Sequence, residues 1–564
     1  MTHYKSMLAI AITSALMLAG CGDNGSKPAE KPATPEKSAA TTSAPTASQS
    51  KDQVKLAVVQ ELVKGNGAEP ASLDPEKTEG VPESNIQRDL FEGLVTTDAT
   101  GKIRPGVAES WETKDNKVFT FHLRKTAKWS NGDAITANDF VYSFRRLVDP
   151  NTASPYAFFL DSANVVNAGA IMAGKKPLDQ LGVKAVDDYT LEITLVNPLS
   201  YFVDMVAHTS LDPVPEKVIA KFGEKWTRPE NIVTNGAYTV KEWVVNERLV
   251  LDRNKQYWDD AHTTINKVTY LPIESQTADV NRYMAGEIDL TYNELPLDQF
   301  KHLKAEHPDE VKVVGYVGSY FYEFNVTRKP FDDVRVRKAL SYAIDRNIIA
   351  NAVVARGEKP SYYMTPEIAQ GFPTQVKTEW STWTQEKRND EAKKLLKEAG
   401  YDESHPLKFE LLYNTNEVHK KIAIAVTSMW KKTLGVDVSL VNQEWKSYLA
   451  SEQQGNFDVS RNGWIADYNE TASMVGLMES TNASNYGKYN NPAYDKLMQD
   501  SRIAPDVATR QKLYGEAEEL LAKDMPIAPI YQYVSGRLVK PYVGGYPNNP
   551  LDNLYTKDMY IIAH

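Results

Sequence analysis

Apolar and polar positions divide this chain into three kinds of sequence. Met7 to Leu18 (MLAIAITSALML) is almost wholly apolar, whereas residues 24–50 hold no aromatic residue and no Val, Ile or Leu. From about residue 53 the pattern is that of folded elements. Phe119–Leu123 (FTFHL), Leu191–Val196 (LEITLV) and Val268–Leu271 (VTYL) are β-rich runs bounded by Gly, Pro, Asn or Asp, which predicts strands. Across 384–399, Ala392, Leu395, Leu396 and Ala399 share one helical face, with Thr384 placed as N-cap and Gly400 as stop. Phe409–Tyr413 predicts a strand, 417–433 a helix burying Ile422, Val426, Met429 and Trp430, and Gly435–Val441 a second strand. Strand, helix and strand within about 33 residues form a βαβ unit and imply a parallel pair. The predicted class is therefore mixed α/β, in which open sheets take ligands at their switch-point crevices. No repeat of fixed period occurs, which argues against solenoids and propellers.

Composition narrows the function. The chain has 564 residues, 74 acidic and 64 basic, for a net charge of −10. At about 150 residues per domain the length predicts three or four domains. With 24% charged and 42% hydrophobic residues it is an ordinary globular mixture, enriched by 30 Tyr and 10 Trp. Mild acidity gives no electrostatic case for nucleic acid, which calls for a basic patch. The single cysteine, Cys21, excludes an internal disulfide framework, a thiolate zinc site and a CxxC redox motif.

The position of that cysteine is informative. The apolar run before it is shorter than the roughly 20 residues a bilayer requires. With Lys5 ahead of it and small residues after it, the run reads as a secretory signal. Leu18-Ala19-Gly20-Cys21 resembles the bacterial lipobox, in which the cysteine is acylated and becomes the new N-terminus. The alternative, a buried thiol in a core helix, fits poorly with a lone Cys directly after such a run. Residues 24–50 lack the apolar surface to offset ordering entropy, which predicts a disordered tether spanning roughly 30 Å. No other segment approaches a membrane-spanning length, so lipid alone would hold the exported chain.

Catalytic signatures are mostly missing. The nine histidines include no HExxH, and His302 and His307 sit in a charged stretch that reads as a solvated face. Gly169–Lys176 (GAIMAGKK) approaches a phosphate loop but lacks the Ser or Thr and the preceding strand. Gly65-Asn66-Gly67 meets Pro70 where a dinucleotide fingerprint wants glycine, and no GxSxG occurs. Neither catalysis nor a metal or cofactor is expected. One stretch is chemically distinctive: Phe457–Glu470 (FDVSRNGWIADYNE), a strand delivering Arg461, Trp464 and Asp467, with Asn462 and Gly463 predicting a bend. A cation, an indole and a carboxylate so close together suit a zwitterion; they equally suit a buried Arg–Asp pair beside a core Trp.

Longer blocks carry a resemblance. Residues 83–150, with ESNIQRDLFEGLVTTDATGKIRPGVAESW and FHLRKTAKWSNGDAITANDFVYSFRRLVDP, are similar to the extracytoplasmic solute-binding proteins of dipeptide and oligopeptide ABC importers. NIVTNGAYTV (231–240), FDDVRVRKALSYAIDR (331–346), LLYNTNEVHKKIAIA (411–425) and FDVSRNGWIADYNE extend the resemblance over residues 53–564 and point to its oligopeptide branch. It implies a three-domain, two-lobed binding protein of mixed α and β lobes that closes like a hinged trap. Domain I would comprise 53–91, 216–317 and 535–564, domain II 92–215, and domain III 318–534. By resemblance, Asp467 holds the peptide's α-amine, and main chain around Gly463–Ile465 and Val81 offers edges to the extended peptide. Glu79, Tyr156, Trp445, Trp464 and Tyr533 would line the ligand, and His419 and Arg461 would lie near its carboxylate. As bland alternatives, His419 sits in the first turn of its helix and Arg461 is structural. The implied partners are oligopeptides and the importer's permease. The protein would be a monomer on the periplasmic side of a bacterial membrane, attached only through lipid on Cys21.

Two departures stand out. Where the family pattern has further basic residues, this chain has Val354 and Glu452, which predicts an altered ligand range. A cysteine pair of close relatives falls at Gly318 and Ile465. Competing readings are capture of murein tripeptide, a secreted peptidase, and a surface adhesin or chaperone-like protein.

Overall fold

A computed structural model describes residues 51, 54–373, 376 and 378–564. The signal, Cys21 and the 24–50 linker lie outside the described residues. Among those described, no helix is long and apolar enough to cross a membrane.

The periodic segments form the expected elements with small shifts at their ends. Strands run Val118–Leu123, Thr190–Thr194 and Lys267–Leu271. Val196 falls beyond its strand and is exposed. Helix Gln385–Glu398 begins after Thr384, whose hydroxyl accepts the Lys387 N–H at 3.2 Å. It ends where Gly400 takes a φ of 94°, a conformation that favours glycine. Strands Lys408–Asn414 and Asp437–Gln443 pair in parallel around helix Glu417–Leu434, which completes the βαβ unit. The Asn416 side chain caps that helix by accepting from the N–H groups of Val418 and His419. Ile422, Val426 and Trp430 are buried, Met429 is half-buried, and the Trp430 indole donates to the Leu340 carbonyl at 2.8 Å.

Three large sheets organise the molecule. One orders Glu61–Gly65, Lys267–Leu271, Arg248–Arg253 and Tyr238–Val244, the first two parallel. A second, antiparallel, orders Ala108–Thr113, Val118–Leu123, Thr190–Thr194 and Val183–Asp187. Helix Ala137–Val148 lies beside it and buries Phe140, Phe144 and Leu147. The third has six strands in the order Lys359–Pro360, Ile527–Leu538, Val311–Phe324, Val459–Ile465, Lys408–Asn414 and Asp437–Gln443. Val311–Phe324 and Ile527–Leu538 run 14 and 12 residues, against the usual length of about 5–6. Their register slips between Gly315 and Ser319, and again between Tyr320 and Phe321; such irregularities bend strands. Beyond the slip, Leu290 bridges both Val539 and Lys64, linking this sheet's end to the first sheet.

The bend expected at Asn462-Gly463 is absent: the strand continues from Val459 to Ile465, each residue opposite one of Gly318–Phe324. Glycine serves a close approach instead. A Cβ on Gly463 would meet the Tyr533 hydroxyl at 2.5 Å and Arg461 Nη2 at 3.0 Å. Gly318 and Ile465 face each other directly, and a Cβ on Gly318 would run into the Ile465 δ-methyl. This register makes a prediction. Gly318→Cys with Ile465→Cys closes a disulfide and adds about 2–4 kcal/mol of stability. Thiol titration and thermal melting with and without reductant check it; two persistently free thiols contradict the register.

Candidate functional site

One strand has a free margin. Val459–Ile465 pairs with Lys408–Asn414 only at Leu411↔Val459 and Leu412↔Ser460, leaving Arg461 to Ile465 without a partner strand on that side among the described residues, although the Arg461 carbonyl accepts from the Tyr448 hydroxyl and the Gly463 N–H donates to Asn462 Oδ1 at 2.7 Å. The Ala466 N–H donates to the Val317 carbonyl at 2.8 Å. Antiparallel alternation then turns the main chain of Gly463 and Ile465 away from Val311–Phe324. That margin borders a cavity of about 220 Å³. All of Glu79, Val81, Tyr156, His419, Trp445, Arg461, Gly463, Trp464, Ile465, Asp467 and Tyr533 line it.

Asp467 follows the strand, and its side chain is 6% exposed. The Tyr156 hydroxyl donates to Oδ1 at 2.7 Å, and Ser473 Oγ lies 3.5 Å from Oδ2. Burial raises its pKa from 3.8 to about 7, against the opposing pull of these hydroxyls. The nearest ring nitrogen, His208 Nε2, is 3.4 Å from Oδ1. It supplies no charge, because burial, and secondarily Arg88, lowers the His208 pKa to about 3. His208 Nδ1 lies 2.9 Å from Ser210 Oγ and 3.3 Å from the Ser210 nitrogen, so the ring is anchored on one side and turns Nε2 toward Asp467. Tyr156 stacks on the His208 ring at 4.6 Å and fixes the approach of both groups. Trp464 is held by its indole N–H, which donates to the Ser473 carbonyl at 2.9 Å.

Arg461 is the opposite charge, separated from Asp467 by Asn462–Ala466. Nη1 donates to Asn414 Oδ1 at 3.2 Å and Nη2 to the Tyr533 hydroxyl, while Nε has no hydrogen-bond partner among the described residues. The guanidinium lies 4.8 Å from the Tyr320 ring centre. All these partners are neutral, so the buried Arg–Asp pair allowed by the sequence does not form. His419 does sit in the first turn of its helix and also faces the cavity. Its Nδ1 lacks a hydrogen-bond partner among the described residues, and burial, then Arg461 and Arg356, pushes its pKa well below the usual value.

A further part of the wall is acidic and aromatic. Glu79 accepts from Gln453 Nε2 at 2.6 Å and from the Tyr486 hydroxyl at 2.5 Å. The Trp445 indole donates to Glu83 Oε1 at 3.3 Å, and the Trp445 ring stacks on Tyr448. Of the two departures, Glu452 lines the cavity whereas Val354 does not, lying instead in an apolar cluster with Ile349 and Trp380. Val81 is the first residue of helix Val81–Leu90, preceded by extended Gly80 and followed by Pro82, so main chain at a helix start faces the cavity there. Sequence reasoning missed His208, Tyr316, Asn414, Tyr448 and Tyr486, all in the wall. No local spacing marks them, because tertiary contacts bring them in from separate elements.

These features define a ligand-binding cavity of a substrate-binding protein. The chain belongs to the bacterial extracellular solute-binding proteins, family 5, whose middle region matches residues 102–486. It is 56% identical over 523 residues to the periplasmic oligopeptide-binding protein OppA of Salmonella typhimurium, a match covering 93% of this chain and 96% of that one. The structure of Haemophilus influenzae OppA in complex with RPPGFSPFR is similar with a TM-score of 0.89 at 50% identity, covering 90% of this chain and all of that one. The unliganded open form of the murein tripeptide-binding protein MppA matches with a TM-score of 0.64 at 49% identity, covering 91% and 99%. Near-equal identities with unequal scores place the difference in arrangement: this chain follows the peptide complex and departs from the open form.

The Asp467 environment makes a prediction. Its carboxyl carbon, followed by NMR in the ligand-free protein, titrates near pH 7. Tyr156→Phe moves that midpoint higher, since the lost hydrogen bond favoured the ionised form. Titration near pH 4 in both proteins contradicts the assignment.

Proposed function

We propose that this protein captures oligopeptides in the cavity and delivers them to an ABC importer, without altering them. The observation that carries this reading is a pair of buried opposite charges, Asp467 and Arg461, each without a charged partner among the described residues, joined by a strand whose margin lacks a partner strand. An extended peptide brings an α-ammonium, a carboxylate and a row of main-chain groups to match. Its backbone adds to the margin at Gly463 and Ile465, an interaction indifferent to side-chain identity. Tyr156, Trp464, Trp445 and Tyr533 give area around the side chains at low entropy cost. His419 and Arg461 receive the carboxylate end, and Val81 borders the peptide from its helix start.

The division into domains I, II and III is part of this reading. The crossing at 317/318 falls within the register slip of the two long strands, and that at 534/535 lies just outside it, where bending is easiest. Tyr156, in domain II by this division, then reaches Asp467 of domain III across the cleft at 2.7 Å. Lipid on Cys21 would hold the protein at the periplasmic face of a membrane.

Binding of tri-alanine, measured by calorimetry, tests the reading. Asp467→Asn weakens it by about tenfold to 150-fold, as loss of a charged hydrogen-bond partner costs about 1.5–3 kcal/mol. N-acetyl tri-alanine binds wild type comparably weakly and gains nothing from the intact Asp467. Equal affinity of wild type and Asp467→Asn contradicts the role, and recovery of cleaved peptide contradicts a non-catalytic carrier.

A further inference from the structure

Contacts between domains II and III carry special weight under the division proposed above. The chain joins domain III to domain I at 317/318 and 534/535 and never joins it to domain II, so every contact between II and III spans the cleft. The bond from Tyr156 to Asp467 is one of these and belongs to the cavity. A second set lies outside it.

Tyr201 of domain II stacks on Tyr468 of domain III, with ring centres 5.6 Å apart and planes at 13°. Phe159 of domain II also meets Tyr468, edge to face, at 6.0 Å and 68°. The Arg510 guanidinium of domain III lies 5.4 Å from the Tyr201 ring centre, and its Nη1 is 3.5 Å from the Ser200 hydroxyl. Glu470 aims that guanidinium by accepting from its Nε at 3.0 Å. Tyr201 and Tyr468 are only 7% and 5% exposed, a burial that rings of the opposite domain complete. Neither they nor Glu470 and Arg510 are among the residues lining the peptide cavity. Behind Trp464 the two tyrosines border a void of about 20 Å³, room for about one water and too small for a side chain.

Each half of this contact is fixed by its own domain. Tyr201 leads into helix Phe202–Met205, whose Phe202 is buried with its ring 4.6 Å from that of Phe119. Tyr468 sits in a turn where its carbonyl accepts the Glu470 N–H at 2.8 Å, and the Thr471 N–H donates to the Gln370 carbonyl at 2.8 Å. The same turn carries Asp467, whose N–H donates to Ser473 Oγ at 2.7 Å. One anchored turn therefore presents a carboxyl group to the cavity and, at the next residue, an aromatic ring to the opposite domain.

Separating the lobes returns both rings to water and parts the guanidinium from its ring. Apolar burial, ring stacking and the cation–ring contact all favour the closed arrangement. Because these atoms do not touch the ligand, their contribution shifts the balance between open and closed states by an amount that no feature of the peptide alters.

We infer that Tyr201, Tyr468 and Arg510 form a clasp that holds the lobes together from outside the peptide cavity and raises affinity for every peptide by one common factor. The inference rests on the peptide-binding reading and its domain division.

Calorimetry with tri-alanine, tri-leucine and tri-lysine tests the clasp. Tyr201→Ala weakens each peptide that wild type binds by at least about fivefold, with losses equal within about twofold among the peptides. Tyr201→Phe, which keeps the ring, stays within about twofold of wild type. Arg510→Gln gives a smaller common loss and, read the same way, decides the question if Tyr201→Ala does not fold. Affinities of Tyr201→Ala within about twofold of wild type overturn the inference. Losses that differ by more than about threefold among the peptides overturn it also, since they place Tyr201 in contact with the ligand. If wild type binds none of the three, the peptide-binding reading itself has failed and the clasp falls with it.

Discussion

A carboxyl group kept from water with no counter-charge is the constraint around which this cavity is arranged. Asp467 has a pKa near 7 rather than 3.8, mainly through burial. A displacement of that size amounts to about 4 kcal/mol against the ionised form. The sign matters: this penalty is absent below the unfolded carboxyl pKa of about 4, grows as pH rises, and is complete above pH 7. The Tyr156 hydroxyl offsets part of it, and the neutral His208 supplies no charge. A ligand ammonium supplies the missing one.

The same logic runs along the rest of the wall. Arg461 makes only neutral contacts, so a carboxylate is its natural complement. Between the two charges the margin at Gly463 and Ile465 offers main-chain groups, which recognise a peptide as a peptide rather than as a sequence. Specificity is then left to the side-chain surfaces. Affinity from the backbone and selection from the walls are thus carried by different atoms of one cavity.

Much of this is legible from the chain. Thr384 and Gly400 punctuate a helix through capping and turn chemistry that acts over a few residues, and the βαβ unit follows from its apolar spacing, although Gly435, read as a strand start, ends the helix instead. Gly463 shows the limit of such reasoning. Read locally it signals a bend, but the strand runs on because Tyr533, seventy residues away, occupies the space of a side chain. Val81 entered by resemblance alone, and its place at a helix start fits Pro82, which is compatible with the first turn of a helix. The eleven site residues came from resemblance to a family. Periodicity alone brings Arg461, Trp464 and Asp467 near one another and leaves their roles open. His208, Tyr448 and Tyr486 left no local trace, since only tertiary packing brings them to the wall.

If the cost of burying Asp467 is relieved by the ammonium of a bound peptide, binding must change the protonation of that carboxyl group. Proton release on binding tri-alanine reads this change, obtained by calorimetry at pH 6 in buffers of different ionisation enthalpy. At that pH a group with a pKa near 7 is mostly protonated, and it must ionise to meet the ammonium. Wild type is expected to release close to one proton per peptide, and Asp467→Asn close to none. Equal release from the two proteins, or none from either, would show that Asp467 does not meet the ligand's charge.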